Sequence, residues 1–252
     1  MHDWQEKWLE EQEIAQIHGW DFSHIAERTR EETDYPWDYR RTIGRYLTPQ
    51  MRLLDVDTGG GEFLLRLGHP YENTAATEGY GPNVQLCRRT LLPLGIDFRP
   101  GVVGEGLPFE SESFDVILNR HGDLSPREFY RLLKPGGLVI TQQVGAENDR
   151  ELVQLLCGDT PMPFPDQYLK LAQVQFARVG FRVLEALECY RNYDFFDVGA
   201  LVWFARVIPW EFPDFSVETH LENLHKAQLL LEEKGYLRCR THRFFLVAQK
   251  PR

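Results

Sequence analysis

The feature that most constrains this fold is an apolar run that ends in a cluster of glycines. Residues 53–56 read Leu-Leu-Asp-Val, and Gly59, Gly60 and Gly61 follow shortly before a helix-like pattern begins. In doubly wound α/β sheets, a strand meets a helix N-terminus in this way and delivers a ligand to it. The sequence therefore predicts a ligand-binding loop at residues 57–61.

The acids in and around this loop narrow the choice of ligand. Asp55, Asp57 and Glu62 would repel a pyrophosphate, and Leu64 stands where the G-x-G-x-x-G pattern of dinucleotide sites has a third small residue. The same carboxylates attract an ammonium group or a sulfonium cation, because opposite charges attract. We therefore expect this loop to bind an adenosyl amino acid rather than NAD.

A second acid supports this interpretation. Residues 74–78 form a short strand-like run that ends in Glu78, 19 positions after Gly59. A carboxylate at the tip of the second strand, at about that distance, accepts hydrogen bonds from the ribose hydroxyls of a nucleoside. Glu78 is therefore predicted to hold a ribose, and the alternative is a solvated acid in a loop.

Four passages of the chain occur in the order and spacing of one known family. They are Asp55-x-Asp57-x-Gly59-x-Gly61, the strand ending at Glu78, Leu107-Pro108-Phe109 with Ser113-Phe114-Asp115, and Leu133-Lys134-Pro135-Gly136-Gly137. Over roughly residues 50–145 the chain resembles the class I S-adenosylmethionine-dependent methyltransferases. It departs at Asp57, where that family usually has the first glycine of its D-x-G-x-G-x-G motif. Asp adopts tight-turn conformations more readily than most residues, so we expect the loop to form.

The resemblance implies an α/β fold with a doubly wound, seven-stranded, mostly parallel Rossmann-like sheet whose last strand is antiparallel. Apolar runs and turn residues predict strands near 51–57, 74–78, 97–103, 114–119, 137–143, 181–190 and 244–248. The predicted organisation is an N-terminal helical extension (1–48), a cofactor-binding core (49–192), a helical insertion or lid (193–234) and the final strand (235–252). Ser125, Pro126 and Glu128 together predict a helix start with a capping box.

The resemblance also implies the cofactor, S-adenosylmethionine, with S-adenosylhomocysteine as product. The residues expected to bind it are Asp55, Asp57, Gly59, Gly61, Glu78, Gly79, Glu105, Gly106 and Asn119. Glu105 occupies the position of an adenine-contacting acid only with a one-residue shift. Without that shift, Val103 takes the position and Glu105 lies on the surface.

The catalytic end is expected where the run 114–119 ends, at Asn119, Arg120 and His121. His121 is a candidate general base, because its ordinary pKa lies near working pH, and the alternative is a hydrogen-bonded histidine at a strand end. Arg120 and Gln143 are candidate acceptor-binding residues, although Gln143 and its neighbour Gln142 alternatively cap backbone groups.

Aromatic residues cluster at both ends of the chain and suggest a lid. Trp37, Trp203 and Trp210 are predicted to enclose the methyl acceptor and to exclude water. The alternative is that these aromatic residues pack added helices onto the sheet.

Charge bears on the partner. The chain carries 28 Lys and Arg against 38 Asp and Glu, a formal net charge of −10. Nucleic acids are bound through Lys and Arg, so a small-molecule acceptor is favoured over RNA. An RNA methyltransferase using the basic stretch 238–243 stays open, as does a non-catalytic binder of the cofactor, which the substitution at Asp57 suggests.

Other site classes find little support in the sequence. The four cysteines form no C-x-x-C pair, and His220 and His225 are five apart, so no metal site is expected. No apolar run approaches the length of about 18 residues that a membrane span needs, and the N-terminus lacks the layout of a signal peptide. A cytoplasmic protein is therefore expected, and the oligomeric state is left open.

Overall fold

A computed structural model describes residues 2–17 and 21–252 of the chain, so residues 1 and 18–20 of the predicted extension lie outside the described residues. The helices are α1 (His2–Glu13), α2 (Tyr39–Tyr46), α3 (Glu62–Leu67), α4 (Gly81–Thr90), α5 (Pro126–Leu132), α6 (Arg150–Cys157), α7 (Leu169–Val179), α8 (Val198–Val207) and α9 (Leu221–Lys234). The strands are β1 (Thr29–Glu31), β2 (Leu53–Val56), β3 (Thr74–Glu78), β4 (Asp97–Pro100), β5 (Phe114–Arg120), β6 (Leu133–Val144), β7 (Arg182–Phe195) and β8 (Leu237–Gln249).

The strands form one mostly parallel sheet in the order β1-β7-β8-β6-β5-β2-β3-β4. Strands β2, β3, β4, β5 and β6 pair in parallel, and β8 runs antiparallel to β6, as predicted. The predicted count of seven strands is wrong. The additional strand is β1, inside the predicted helical extension, where Thr29 pairs with Phe195 of β7 in antiparallel register.

The chain order around β2 creates the position for a site. The chain runs from β2 outward through β3 and β4, and then returns to the other side of β2 as β5. In the shared register, Val56 of β2 lies opposite Asn119 of β5. Ligands of open α/β sheets bind at the carboxyl ends of the strands at such a switch point. The sequence-predicted loop at 57–61 begins at that place.

The chain divides into two compact units, and strands β7 and β8 contribute residues to both. The core unit comprises Pro36–Val144, Gln167–Glu188 and Arg243–Arg252, and the accessory unit comprises Met1–Tyr35, Gly145–Asp166 and Cys189–His242. These boundaries differ from the predicted ones. Residues 36–48 belong to the core unit, and residues 145–166 belong to the accessory unit.

The core unit buries both faces of its part of the sheet, because successive side chains of a strand point to opposite faces. Leu54 of β2 packs in the cluster that contains Phe129 of α5 and Phe176 of α7. Leu53, its neighbour, packs in a second cluster with Ile43 of α2 and with Leu64, Val84 and Cys87 of α3 and α4. The predicted doubly wound arrangement is therefore confirmed for this unit.

The accessory unit has a hydrophobic core of its own. Trp203 of α8 is 2% exposed and packs in this core with Trp8 of α1, Leu152 of α6 and Leu224 of α9. Within residues 2–17 and 21–252, no helix combines the length and the apolar character needed to cross a bilayer.

The predicted start of α5 is correct, but its capping box is wrong. The helix begins at Pro126, and the Ser125 side chain makes no capping hydrogen bond. The Glu128 carboxylate instead accepts hydrogen bonds from the Leu107 N–H at 2.7 Å and from Arg131 at 2.6 Å. Because an arginine one turn away competes for the carboxylate, Glu128 does not reach back to Ser125.

Candidate active site

The loop after β2 adopts left-handed backbone conformations at alternate positions. Asp57, Gly59 and Gly61 have φ values of 56°, 64° and 84°. Glycine takes such values without steric cost, and Asp takes them more easily than most residues do. The expectation that the loop forms in spite of Asp57 is therefore confirmed.

Gly59 and Gly61 of the loop are needed for different reasons. A Cβ atom on Gly59 would meet no heavy atom within 4 Å, so the space beside this residue is open. A Cβ atom on Gly61 would lie 2.7 Å from Leu91 Cδ2. A side chain at position 61 would therefore collide with the protein itself. The Cys87 thiol also holds the loop, with its sulfur 3.1 Å from the Gly59 carbonyl oxygen.

Glu78 is 6% exposed at the end of β3 and organises the loop. Its Oε2 accepts a hydrogen bond from the Gly59 N–H at 2.8 Å. Its Oε1 accepts hydrogen bonds from the N–H groups of Gly79 at 2.9 Å and Tyr80 at 2.8 Å. The Asn83 side-chain amide makes a fourth, long contact to Oε2 at 3.5 Å, and a ligand hydroxyl can replace this weak bond. The sequence predicted Glu78 as a site residue, but it did not predict that its carboxylate joins the loop after β2 to the turn after β3.

Gly79 lies directly after Glu78 and close to the segment that follows β4. A Cβ atom there would lie 2.9 Å from Val102 Cγ2. The short turn Val103–Glu105 follows, with Val103 buried and Glu105 and Gly106 exposed. Of the two alternatives for the adenine contact, Glu105 lies on the surface and Val103 is the buried residue. A cofactor role for Glu105 and Gly106 stays a prediction.

Asp55 is buried at the end of β2 and is 5% exposed. Its Oδ2 accepts a hydrogen bond from the Thr58 hydroxyl at 2.7 Å. Burial raises the pKa of Asp55 to about 6, opposed by the Thr58 hydrogen bond and by the charge of Arg120, while the Glu78 carboxylate adds to the increase. Desolvation disfavours the charged form of an acid. A cation bound nearby would stabilise the ionised carboxylate.

Asp57 extends this group of acids. Its Oδ2 accepts a hydrogen bond from the Asp123 N–H at 3.0 Å, which ties the loop after β2 to the loop after β5. Burial raises the pKa of Asp57 to about 7; the Asp123 hydrogen bond opposes this, and the charges of Glu78, Asp123 and Asp55 reinforce it. A Cβ atom on Gly122 would lie 2.6 Å from the Asp57 Cβ. The Asp at this position is thus accommodated by a glycine across the site.

Asn119 and Gln143 lie at the ends of β5 and β6 and hold each other. Asn119 is fully buried and Gln143 is 1% exposed. The Asn119 Oδ1 accepts hydrogen bonds from Gln143 Nε2 at 2.6 Å and from the Thr141 hydroxyl at 3.3 Å. These contacts of Gln143 are with side chains and not with the backbone groups that the alternative named. Ligand contacts by Asn119 and Gln143 stay predictions.

Arg120 is the last residue of β5, and His121 follows it. The Arg120 guanidinium lies 4.6 Å from the centre of the Phe63 ring, a cation–π contact. His121 is exposed and has a φ of 59°, and its backbone N–H donates to the Gln142 carbonyl at 2.9 Å. The surrounding protein reduces the hydration of the ring, and this lowers the pKa of His121 well below its ordinary value, helped by the charges of Arg243 and Arg120.

The three predicted lid tryptophans have different surroundings. Trp37, in the core unit, stacks on Phe245 with ring centres 5.7 Å apart and donates its indole N–H to Gln142 Oε1 at 2.8 Å. Trp203 lies inside the accessory unit against Phe22, and Trp210 is 43% exposed. Packing therefore accounts for Trp203, and lid roles for Trp203 and Trp210 stay predictions.

The sequence missed several residues that shape the site. They are Thr58, Gly122 and Asp123, which contact the acidic loop, and Gln142, which was considered only as an acceptor or capping residue. Thr58 bonds to Asp55 three residues earlier, whereas the contacts of the other three residues join segments that are distant in sequence, so no local pattern indicates those three. In the part of the chain that the structure describes, no group of three or more His, Cys, Asp or Glu residues could hold a metal ion.

Comparison of the sequence with known proteins shows which proteins the chain is similar to. The sequence profile of a methyltransferase domain matches residues 54–141. Phthiotriol/phenolphthiotriol dimycocerosates methyltransferase 1 of Mycobacterium ulcerans is 32% identical over 121 residues, which cover 44% of each protein. The methyltransferase of the same name from Mycobacterium tuberculosis is 33% identical over 109 residues, 39% of this chain and 40% of the relative. The chain thus matches less than half the length of these curated relatives.

A solved structure shows a related fold. A protein from Bacillus halodurans, provisionally named a methyltransferase, is 19% identical with a TM-score of 0.59 and covers 85% of this chain and 99% of its own. At this identity the similarity shows the fold alone. The profile match identifies residues 54–141 as a methyltransferase domain, and the fold of this domain is similar to that of the solved methyltransferase-like structure.

Proposed function

We propose that the chain is an S-adenosylmethionine-dependent methyltransferase that acts on a small-molecule acceptor and releases S-adenosylhomocysteine. One observation carries the proposal. Three acids, Asp55, Asp57 and Glu78, lie in and around the loop at the carboxyl ends of β2 and β3, in which Gly59 and Gly61 have left-handed backbone conformations. Such an arrangement suits a nucleoside that carries positive charge.

The residues present fit this cofactor. The hydrogen bonds of the three carboxylates come from backbone N–H, hydroxyl and amide groups, and Arg120 acts on Asp55 through its charge without lowering the pKa to its ordinary value. A ligand with an ammonium and a sulfonium group would neutralise the charge of these carboxylates, and the open space beside Gly59 leaves room for it. When bound, this cofactor supplies an electrophilic methyl group.

The chain's own residues then have separable roles. Glu78 has acceptor capacity for the ribose hydroxyls, and Asp55 and Asp57 attract the cationic end of the cofactor. Gly59 allows the close approach of the ligand to the backbone. Arg120 at the end of β5 and His121 directly after it are proposed to face the acceptor. Alignment and exclusion of water account for much of the catalysis of such a transfer.

The acceptor is proposed to be small. The curated relatives are named for phthiotriol and phenolphthiotriol dimycocerosates, which are not nucleic acids. In addition, the basic stretch considered for RNA binding is engaged internally. Arg238 forms an ion pair with Asp194 at 2.6 Å, and Arg240 forms one with Glu151 at 2.7 Å. These paired charges are less available to phosphates, so RNA methylation is the less supported alternative.

A non-catalytic role is also less supported, because its motive was the substitution at Asp57. The loop conformation at Asp57 is normal for a glycine-rich turn, and Gly122 makes space for the side chain. A cytoplasmic location stays a prediction of the sequence.

The test is isothermal titration with S-adenosylmethionine, S-adenosylhomocysteine and NAD, followed by turnover of labelled cofactor with a small-metabolite extract and with RNA. We expect both adenosyl ligands to bind more tightly than NAD, and label to enter the small-molecule fraction. Gly59→Arg should abolish binding by filling the open space, whereas Glu110→Gln, at an exposed acid of the same unit, serves as the matched control. Tighter binding of NAD would overturn the cofactor assignment, and salt-sensitive methylation of RNA would overturn the acceptor assignment.

A further inference from the structure

Trp37, Gln142 and His121 form a chain of hydrogen bonds in the core unit. The Trp37 indole N–H donates to Gln142 Oε1 at 2.8 Å. An indole nitrogen has a proton and no lone pair available, so it only donates. The amide atom that faces Trp37 must therefore be the oxygen, and this assigns the orientation of the Gln142 side chain.

The orientation of Gln142 determines the protonation of His121. The amide nitrogen of Gln142 lies 3.2 Å from His121 Nε2. An amide NH₂ group only donates, so His121 Nε2 must accept and carries a lone pair. The proton of the neutral ring is then on Nδ1. A doubly protonated ring would set two donors against each other, which agrees with the direction of the pKa of His121.

The chain of hydrogen bonds is held at both ends. Trp37 stacks on Phe245 at an interplanar angle of 15°, which fixes the indole N–H. Gln142 is 8% exposed, and its backbone carbonyl accepts the His121 N–H at 2.9 Å. His121 as a whole residue is exposed. Its remaining polar group is the Nδ1–H, a hydrogen-bond donor.

We propose that His121 acts as a hydrogen-bond donor through Nδ1–H to an oxygen atom of the methyl acceptor, and that it is not the base that removes the acceptor's proton. This inference rests on the proposed methyltransferase function. It names the acceptor class: a carboxylate, or a phenol or enol acidic enough to lose its proton to solvent before transfer.

The step balances without a protein base. An electron pair of the acceptor oxygen forms the new bond to the methyl carbon, and the pair of the breaking carbon–sulfur bond stays on sulfur. The proton of a phenol or enol has already gone to water. Arg120 ends β5 directly before His121, and its positive charge acts on the His121 ring and would favour an anionic oxygen bound there.

Gln142→Glu tests the inference with almost no change in shape. A carboxylate accepts from Trp37 and from His121 alike, so the variant should move the His121 proton to Nε2 and remove the Nδ1–H donor. Long-range ¹H–¹⁵N spectra distinguish the two tautomers, and the His121 signals are identified by their loss in His121→Asn. Trp37→Phe keeps the stacked ring but lacks the indole N–H, and it should give a mixture of tautomers.

The functional measurement uses 4-nitrophenol, which ionises near neutrality, as a probe with protein saturated by S-adenosylhomocysteine. We expect the nitrophenolate to bind wild-type protein and Gln142→Glu to weaken its binding at least tenfold, with cofactor affinity unchanged. An Nε2–H tautomer in the wild-type protein would overturn the inference, and so would a tautomer that does not move in Gln142→Glu. Probe binding that is absent, or equal in both proteins, would overturn the acceptor class. A failure of the proposed function can be distinguished from these results. In that case the wild-type protein would not bind S-adenosylmethionine, whereas the His121 tautomer would be as expected.

Discussion

Asp57→Asn should make the protein more stable, and increasingly so as the pH rises. The substitution keeps an oxygen that accepts the Asp123 N–H, which Asp57 accepts at 3.0 Å. Asn also tolerates the left-handed backbone conformation that Asp57 adopts, with φ of 56°. The change therefore removes one ionisation with little effect on the loop geometry.

The sign follows from the pKa of Asp57, which rises from an ordinary 3.8 to about 7 in the folded protein. Between these values the folded state retains a proton that the unfolded state has lost, so the free energy of unfolding falls as the pH rises. Each pKa unit corresponds to about 1.36 kcal/mol. Between pH 5 and the folded pKa this gives roughly 2.7 kcal/mol, and partial solvent exposure reduces the expected effect to about 2 kcal/mol.

Urea denaturation of wild type and Asp57→Asn at pH 5, 6, 7 and 8 measures this difference. We expect the advantage of the variant to grow by about 2 kcal/mol across the series and to level off above pH 7. The exposed Glu110→Gln, in the same unit, should differ from wild type by no more than about 0.5 kcal/mol throughout. Parallel stability curves for wild type and Asp57→Asn would refute the assignment of a raised pKa to this carboxylate.

Three further changes test the site. Glu78→Ala should weaken S-adenosylmethionine binding by about 1.5–3 kcal/mol, roughly tenfold to a hundredfold. It should also lower the melting temperature, because buried N–H groups lose their acceptor. An unchanged Kd in titration calorimetry of the folded variant would show that Glu78 holds no ligand. Gly122→Ala should destabilise the protein by about 1–3 kcal/mol in urea melts, since its Cβ would lie 2.6 Å from the Asp57 Cβ, and Asp57→Gly should restore the loss in the double variant; additive effects would show that the two positions are independent. Gly61→Ala should cost a similar amount, about 1–3 kcal/mol, through its contact with Leu91 and its φ of 84°, and an unaltered urea midpoint would contradict that contact.

The central strands were predictable because they are buried on both faces. Residues 53–56 and 114–119 are apolar runs bounded by turn residues, and such runs are typical of parallel strands covered by helices. The first glycine loop is recognisable for a related reason, because left-handed positions require glycine or a residue that tolerates them. Asp55, Asp57 and Glu78 were found because they lie at fixed distances from this loop.

The outer strands were predicted too short, because their additional residues are polar. Strand β7 continues to Phe195, and β8 begins at Leu237, before the predicted 244. In the sequence, Arg238 and Arg240 belong to the basic stretch considered for RNA binding, but in the structure they pair with Asp194 and Glu151. A strand whose charges are neutralised by distant partners gives no alternating apolar signal. The three-residue β1 is likewise defined only by its pairing with β7.

The polar chain from Trp37 to His121 could not be predicted for a different reason. Its members are far apart in the sequence, and its consequence depends on a tautomer that the sequence does not encode locally. Trp37 donates to Gln142, and Gln142 is opposite Arg120 in the register of β5 and β6. Only the assembled sheet determines that the histidine accepts at Nε2.

The two ends of the candidate site therefore have complementary electrostatic character. Around the loop after β2, carboxylates with raised pKa values gain from a cationic ligand, and they become fully ionised when that ligand neutralises them. Beyond the end of β5, Arg120 and a neutral His121 favour an oxygen that carries negative charge. Methyl transfer from a sulfonium to an oxyanion removes charge from both reactants. The products are a neutral thioether and a neutral methyl ester or ether. A site that binds each reactant by its charge therefore binds these products less tightly than the substrates, and this favours product release.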